Sequence, residues 1–345
     1  MKESLSFKMR YAAKMVFSVV LALLLANLIC YFFYSPAIQV PNVEEYTNLK
    51  SVPGNHNPHS GGEGLGNAII DENGFNNLGF FPFEKAKTLC MGSSQTEGQN
   101  VQAEETYVSL LNKKHSDINA YNLGVSAASF EKMFFRIGKL KQKFPEAETI
   151  IFEINSIPDL DSLKRLRTVM ENNDIVSEDI SWKNGNIFVK TISEIPLCRL
   201  LWHKTATRLK ELKKADNNKA EIKEVSGEYH QVLDDIMRLA KEQSGDTKII
   251  IMTLDFLEIN NDGTASVIND NGEREIFAKV CKANGIKYVS TGGAFLRMYV
   301  EQHLLPNGFL DSQLGVGHLN VYGHEAIADL LVNILVQEDY LVESV

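Results

Sequence analysis

An α/β fold with a parallel sheet, preceded by one membrane-spanning helix, is the architecture that the sequence predicts. Two patterns carry the expectation. From residue 88 onward, short and continuously apolar runs alternate with amphipathic stretches of helical period, as when strands are buried on both faces by crossover helices. Before that, residues 15–34 form a run without a charged residue. Twenty helical residues span roughly 30 Å, the thickness of a bilayer's hydrocarbon core.

The chain of 345 residues is 44% hydrophobic and 23% charged, the balance of a folded protein with a sizeable core. Its net charge of −9 argues against a nucleic-acid partner, because phosphates need a clustered basic face. Four cysteines are too few for a disulfide framework, and no pair has the spacing of a metal site. Cys90 and Cys281 lie in apolar segments and are expected as buried thiols.

Lys2, Lys8, Arg10 and Lys14 precede the apolar run, so the basic tip should stay in the cytoplasm and everything after Tyr34 should lie outside. The run is longer than a signal-peptide core and no small-x-small cleavage site follows it. Residues 1–34 therefore read as a cytoplasmic tip and a signal-anchor helix, with a cleaved signal peptide as the competing reading. Residues 35–87, rich in Pro, Gly and Asn, read as a membrane-proximal cap. Within it, 69–75 is a strand entering a turn at Gly74, and 78–81 is its return.

The main domain occupies 88–345. Strands are expected at 88–91, 118–123, 149–154, 248–253 and 286–290, and helices at 106–113, 131–143, 228–242, 273–284 and 323–336. Between Asn155 and Lys248 lie about ninety residues, where a crossover needs only about a dozen. This gap holds a helical insertion at about 157–225, with helices at 159–171 and 197–214 and a strand-like patch at 182–190. Its Lys/Glu run reads as a solvated face. Beside the site edge it also offers a lid, or a docking surface for an envelope protein.

Right-handed crossovers bring the strand ends to one edge, and the chemistry collects there. The first strand runs into Gly92-Ser93-Ser94, a tight turn that presents the Ser94 hydroxyl. After the second, Asn122-Leu123-Gly124 lets a backbone N–H face outward. After the third comes the Asn155 amide, and His318 stands just before the last helix. A serine, a histidine and separate donors on one edge suit acyl transfer: the base takes the serine proton and the donors hold the oxyanion. Glu153 either faces the site edge or pairs with a neighbour, Asp255 either contacts substrate or ends its strand, and His324 is expected to be structural.

These blocks resemble the SGNH (GDSL-type) hydrolases. Gly92-Ser93-Ser94-Gln95-Thr96-Glu97-Gly98 stands where that family has Gly-Asp-Ser-x-Thr-x-Gly. Gly124 matches its second block, Asn155 the first Asn of Gly-x-Asn-Asp, and His318 its last block. Asn73-Gly74-Phe75 and Glu104-Glu105-Thr106-Tyr107 look like exported bacterial members. The resemblance implies a flavodoxin-like three-layer sandwich around a five-stranded parallel sheet. It also implies Ser94 as nucleophile, His318 as general base, and oxyanion donors from the Ser94 and Gly124 amides and the Asn155 side chain. No metal or organic cofactor is expected.

Three positions depart from the family. Ser93 and Ser156 replace aspartates, and Gly315 stands where the family has the acid three residues before the histidine. Asp311, seven residues before His318, completes a triad if its loop folds back; otherwise a Ser–His dyad operates. The expected function is hydrolysis of an acyl ester outside the cytoplasm, on an acylated small molecule or on O-acyl groups of a cell-surface glycan. An O-acyltransferase acting on an exported polysaccharide and an inactive envelope scaffold are the rival readings.

Overall fold

The computed structural model describes residues 2–42, 44, 46–59, 63–78, 85–172, 195–198, 200–201, 227–268 and 273–336. The chain divides into two compact units, Met1–Ser35 with Glu178–Ala220, and Pro36–Ser177 with Glu221–Val345.

The first unit is dominated by α1 (Lys2–Phe33). Among the described residues it contains the one helix long and apolar enough to cross a membrane, Met9–Phe33 with mean hydropathy 2.5. Phe17, Leu24 and Phe32 are exposed on it. The Asn27 side-chain oxygen accepts the Leu197 amide at 3.2 Å.

The second unit begins with the cap. There β1 (Gln39–Pro41) pairs antiparallel with β2 (Leu49–Ser51), and β3 (Pro58–His59) with β4 (Gly66–Asn67). No strand forms at 69–75. Ile70 makes only isolated bridges to Gly54 and Asn76, because the Asp71 carboxylate accepts the amides of Asn73, Gly74 and Phe75 and winds the chain into a turn. The expected return at 78–81 lies, from Gly79 on, outside the described residues, as do 182–190 and most of 197–214. Tyr46 and Phe75 insert into the core beside Tyr121 and Phe144, so the cap is packed on the sheet.

The strands that follow are β5 (Thr88–Met91), β6 (Ala120–Asn122), β7 (Thr149–Ile154), β8 (Lys248–Thr253), the hairpin pair β9 (Leu257–Ile259) and β10 (Ala265–Val267), and β11 (Lys287–Ser290). Five of them form one parallel sheet in the order β6-β5-β7-β8-β11. The strand direction of propagation reverses beside β5, and crevices at such switch points are where open α/β sheets bind ligands.

Alternate residues feed two cores. Leu89, Met91, Ile150, Phe152 and Ile251 point to one face, and Cys90, Ile151, Ile250 and Met252 to the other. The first face is covered by α4 (Phe130–Phe134), α5 (Ile137–Lys143), α6 (Leu160–Asn172), α7 (Gly227–Ser244) and α8 (Glu273–Ala283). The second is covered by α3 (Tyr107–Lys114), α9 (Gly292–Gln302) and α10 (Val321–Val336), leaving the four-residue α2 (Ser94–Glu97) at the sheet edge. This is the expected three-layer α/β sandwich around a five-stranded parallel sheet. Burial pushes the Cys90 thiol up to about 12, in keeping with an inert core thiol.

Two helical details differ from the sequence expectation. The stretch 131–143 is two helices, broken at Phe135 and Arg136, which lets Phe130, Phe134, Ile137 and Leu140 all reach the core. Helix α9 was not expected; its buried residues Phe295 and Met298 sit in a Gly-led segment with little periodic signal.

His324 is structural, as expected. It is 1% exposed, its Nδ1 accepts the Tyr107 amide at 3.2 Å, and its ring stacks on Tyr107. Burial, with His318 nearby, lowers its pKa from 6.5 to about 3. The folded state therefore binds fewer protons than the unfolded chain, and this contribution to stability is present above pH 6.5 and lost as pH falls toward 3. Thermal melts should show Tm dropping across that window, with a shallower drop in His324→Gln.

Candidate active site

Strand β5 is followed by Gly92, where an added Cβ would lie 1.9 Å from Thr96 Oγ1 and 2.4 Å from Glu153 Oε2. Only glycine permits that approach, so the chain turns sharply from strand into α2. Ser93 caps this helix, its hydroxyl accepting the Gln95 amide. Ser94 is the first helical residue. Its Oγ donates to His318 Nε2 at 2.9 Å.

On the other side of the imidazole stands Glu63. Its Oε2 accepts the His318 Nδ1–H and also the His318 backbone N–H, the latter at 3.1 Å. A proton on Nδ1 leaves Nε2 as the acceptor that the serine needs. The three side chains thus form a Ser–His–acid line, with the acid drawn from the cap between β3 and β4 and not from the histidine loop.

Asp311 does not complete that line, which corrects the sequence expectation. Its Oδ1 accepts the Gly64 amide at 2.8 Å. Gly315 has φ +80° and donates its N–H to Asn307 O. A side chain at that position would need a backbone that L residues rarely adopt, so this loop has no place for an acid at 315. Sequence reasoning assigned Glu63 nothing. The one available signal was an acid framed by glycines in Gly61-Gly62-Glu63-Gly64.

The histidine loop is tied to the nucleophile helix. Gln95 Oε1 accepts the Leu319 amide at 2.8 Å, and Asn307 Nδ2 donates to Gly317 O at 3.1 Å. Asn320 Oδ1 accepts the amides of Tyr322 and Gly323 and so starts α10, while its Nδ2 donates to Leu305 O and Gly308 O.

The three expected oxyanion donors fare differently. No internal partner is recorded for the Ser94 amide, at the first position of α2, among the described residues. Asn155, exposed at the end of β7, donates one Nδ2 hydrogen to Ser93 Oγ at 2.9 Å, leaving its second. The Gly124 amide is engaged: it donates to the buried Asn122 Oδ1 at 2.8 Å. Gly124 packs against the backbone of Thr96 and Glu97, 2.2 Å from a built Cβ to Glu97 N, so its glycine serves close packing and not oxyanion binding. Among the amides from Leu123 to Ala128, that of Ala127 alone has no recorded internal partner. Ala127 is exposed and left-handed at φ +61°.

Two fully buried carboxylates lie beneath these groups. Glu153 accepts the Ser93 amide at 2.7 Å together with the Ser93 and Thr96 hydroxyls. Glu97 accepts the Ser126 amide at 2.8 Å and its hydroxyl. Burial raises the pKa of each, against the hydrogen bonds. Glu153 thus pairs with the nucleophile turn. Asp255 is buried at the end of β8, accepting from Arg274, Ser290 Oγ and the Gly292 amide, so it ends its strand.

No family model matches the chain, and no curated protein does. Among solved structures, the chain is similar to a two-domain esterase (CEX) active on acetylated mannans, at 11% identity and TM-score 0.39, over 76% of this chain and 53% of that one. It is similar to a lipolytic G-D-S-L family member from Veillonella parvula, at 13% identity and TM-score 0.36, over 72% and 98%. It is also similar to the psychrotrophic esterase EstA from Pseudoalteromonas sp., at 13% identity and TM-score 0.38, over 74% and 100%. At these values the fold rests on the strand order, and the chemistry on the Ser94–His318–Glu63 geometry.

Gly317 lets Glu63 come this close: a built Cβ would meet the Glu63 carboxylate at 2.6 Å. Gly317→Ala should therefore slow reaction of Ser94 with a fluorophosphonate probe by about tenfold or more, while circular dichroism stays that of the folded wild type.

Proposed function

We propose that this protein is a serine-dependent acyl-ester hydrolase that acts outside the cytoplasm, on O-acyl groups of a cell-surface glycan. The observation that carries the reading is the 2.9 Å contact between Ser94 Oγ and His318 Nε2, with Glu63 on the far nitrogen. His318 takes the serine proton as Oγ attacks the ester carbonyl, and Glu63 stabilises the imidazolium that forms. The carbonyl oxygen becomes an oxyanion, and the Ser94 amide and the second Asn155 Nδ2 hydrogen are the donors left to hold it. Protonated His318 then gives its proton to the leaving alcohol. Water, activated by the same imidazole, releases the acid and regenerates Ser94.

A cavity of about 370 Å³ is lined by Ser93 and Asn155, beside the Ser94 turn. Its walls are of mixed character, with Phe130, Met133 and Ile157 as well as polar groups, and suit an alcohol with both hydroxyl and carbon faces. Ser129, Glu131, Asn155, Ser156, Asp159 and Ser162 are among the groups lining it. The extracytoplasmic placement rests on Lys2, Lys8, Arg10 and Lys14 ahead of the uncharged run 15–34. A scaffold role drew its support from the missing acid at Gly315, and Glu63 removes that ground.

In full-length protein, fluorophosphonate labelling and p-nitrophenyl acetate turnover should vanish in Ser94→Ala and His318→Ala. Glu63→Gln should fold normally and lose about 10²–10⁴ in kcat, since a neutral amide neither selects the tautomer nor balances the imidazolium. A well-folded wild type that neither labels nor turns over would overturn the hydrolase reading.

A further inference from the structure

The acid that orients His318 lies between two strands that pair only briefly. Strands β3 and β4, which flank Glu63, are two residues each and share a single antiparallel pairing, Pro58 with Asn67 and His59 with Gly66. Such a ladder is too short to fix a carboxylate within the tolerance that catalysis needs. The loop is held instead by side chains from the main domain. Asn100 Nδ2 donates to Glu63 O at 2.6 Å, Gln102 Nε2 donates to Leu65 O at 3.0 Å, and Asp311 Oδ1 accepts the Gly64 N–H at 2.8 Å.

Asp311 differs from the other two braces in where it comes from. It lies on the loop that carries His318, a loop closed on itself by Gly308 N to His318 O at 3.0 Å and Gly315 N to Asn307 O at 2.9 Å. The Asp311–Gly64 bond and the Glu63–His318 bonds therefore join the same two loops, at adjacent residues on the Glu63 side. We propose that Asp311 is a positioning residue that holds Glu63 on His318 through the Gly64 amide, without touching the imidazole. The role rests on the serine-hydrolase reading of the site.

The bond needs an oxygen acceptor and not a negative charge, so Asp311→Asn and Asp311→Ala separate this role from that of a triad acid. In full-length protein, Asp311→Ala should lower kcat for p-nitrophenyl acetate by about tenfold to a hundredfold at nearly constant KM. Asp311→Asn, which keeps Oδ1, should stay within about threefold of wild type. Because Asp311 acts through Glu63, the Glu63→Gln/Asp311→Ala double variant should be no slower than Glu63→Gln alone. Amide hydrogen exchange followed by mass spectrometry supplies a readout that does not need activity. The Gly64 and His318 amides should exchange faster in Asp311→Ala and at the wild-type rate in Asp311→Asn.

Equal impairment of the Asn and Ala variants would overturn the proposal, because the charge itself would then be required. So would losses that multiply in the double variant, or unchanged exchange in Asp311→Ala. If the wild type neither labels nor turns over, the hydrolase reading falls, and the exchange rates alone decide whether Asp311 braces the Glu63 loop.

Discussion

The contact between Glu63 and His318 is the interaction on which the site depends, because it decides what the imidazole can do. A histidine that accepts from serine on Nε2 must carry its proton on Nδ1, and a carboxylate beside Nδ1 selects that tautomer. Here the carboxylate also accepts the backbone N–H of the same histidine, so one group sets both ring state and ring orientation. Serine, histidine and acid come from the end of β5, from the loop before α10 and from the cap. The histidine is 224 residues from the serine and 255 from the acid. Their meeting follows from the sheet edge and from the packing of Tyr46 and Phe75 into the core, which seats the cap against the domain.

Below that line, the site is made rigid by buried acids. An isolated carboxylate in a dry interior costs several kcal/mol unless hydrogen bonds satisfy it. Glu153 collects three donors from the nucleophile turn, and Glu97 collects donors from the loop after β6 and from Gln99. Each carboxylate thus ties a catalytic loop to the interior. The Ser93 hydroxyl bridges Glu153 and the Asn155 side chain, so Ser93 links an acid supplied from β7 to the amide at that strand's end. The surface groups are held by buried acids beneath them.

What the sequence by itself determined is the part governed by local periodicity and local turn chemistry. Apolar runs located all five strands of the parallel sheet, and the Gly92-Ser93-Ser94 turn located a serine hydroxyl at a strand end, since a strand end and a glycine are short-range facts. His318 and Asn155 were legible for the same reason, each standing at the boundary of an element with a clear pattern. Tertiary structure alone decided which acid faces the histidine. Glu63 and Asp311 are both carboxylates in glycine-containing loops, and nothing local distinguishes them. Their roles were settled by loop closure, through the left-handed Gly315 and the Asp311–Gly64 bond. The Gly124 amide failed as a donor on similar grounds, because a buried asparagine two residues earlier satisfies it. Such pairings depend on where a chain returns after many residues, and sequence patterns of period two or 3.6 carry no record of that return.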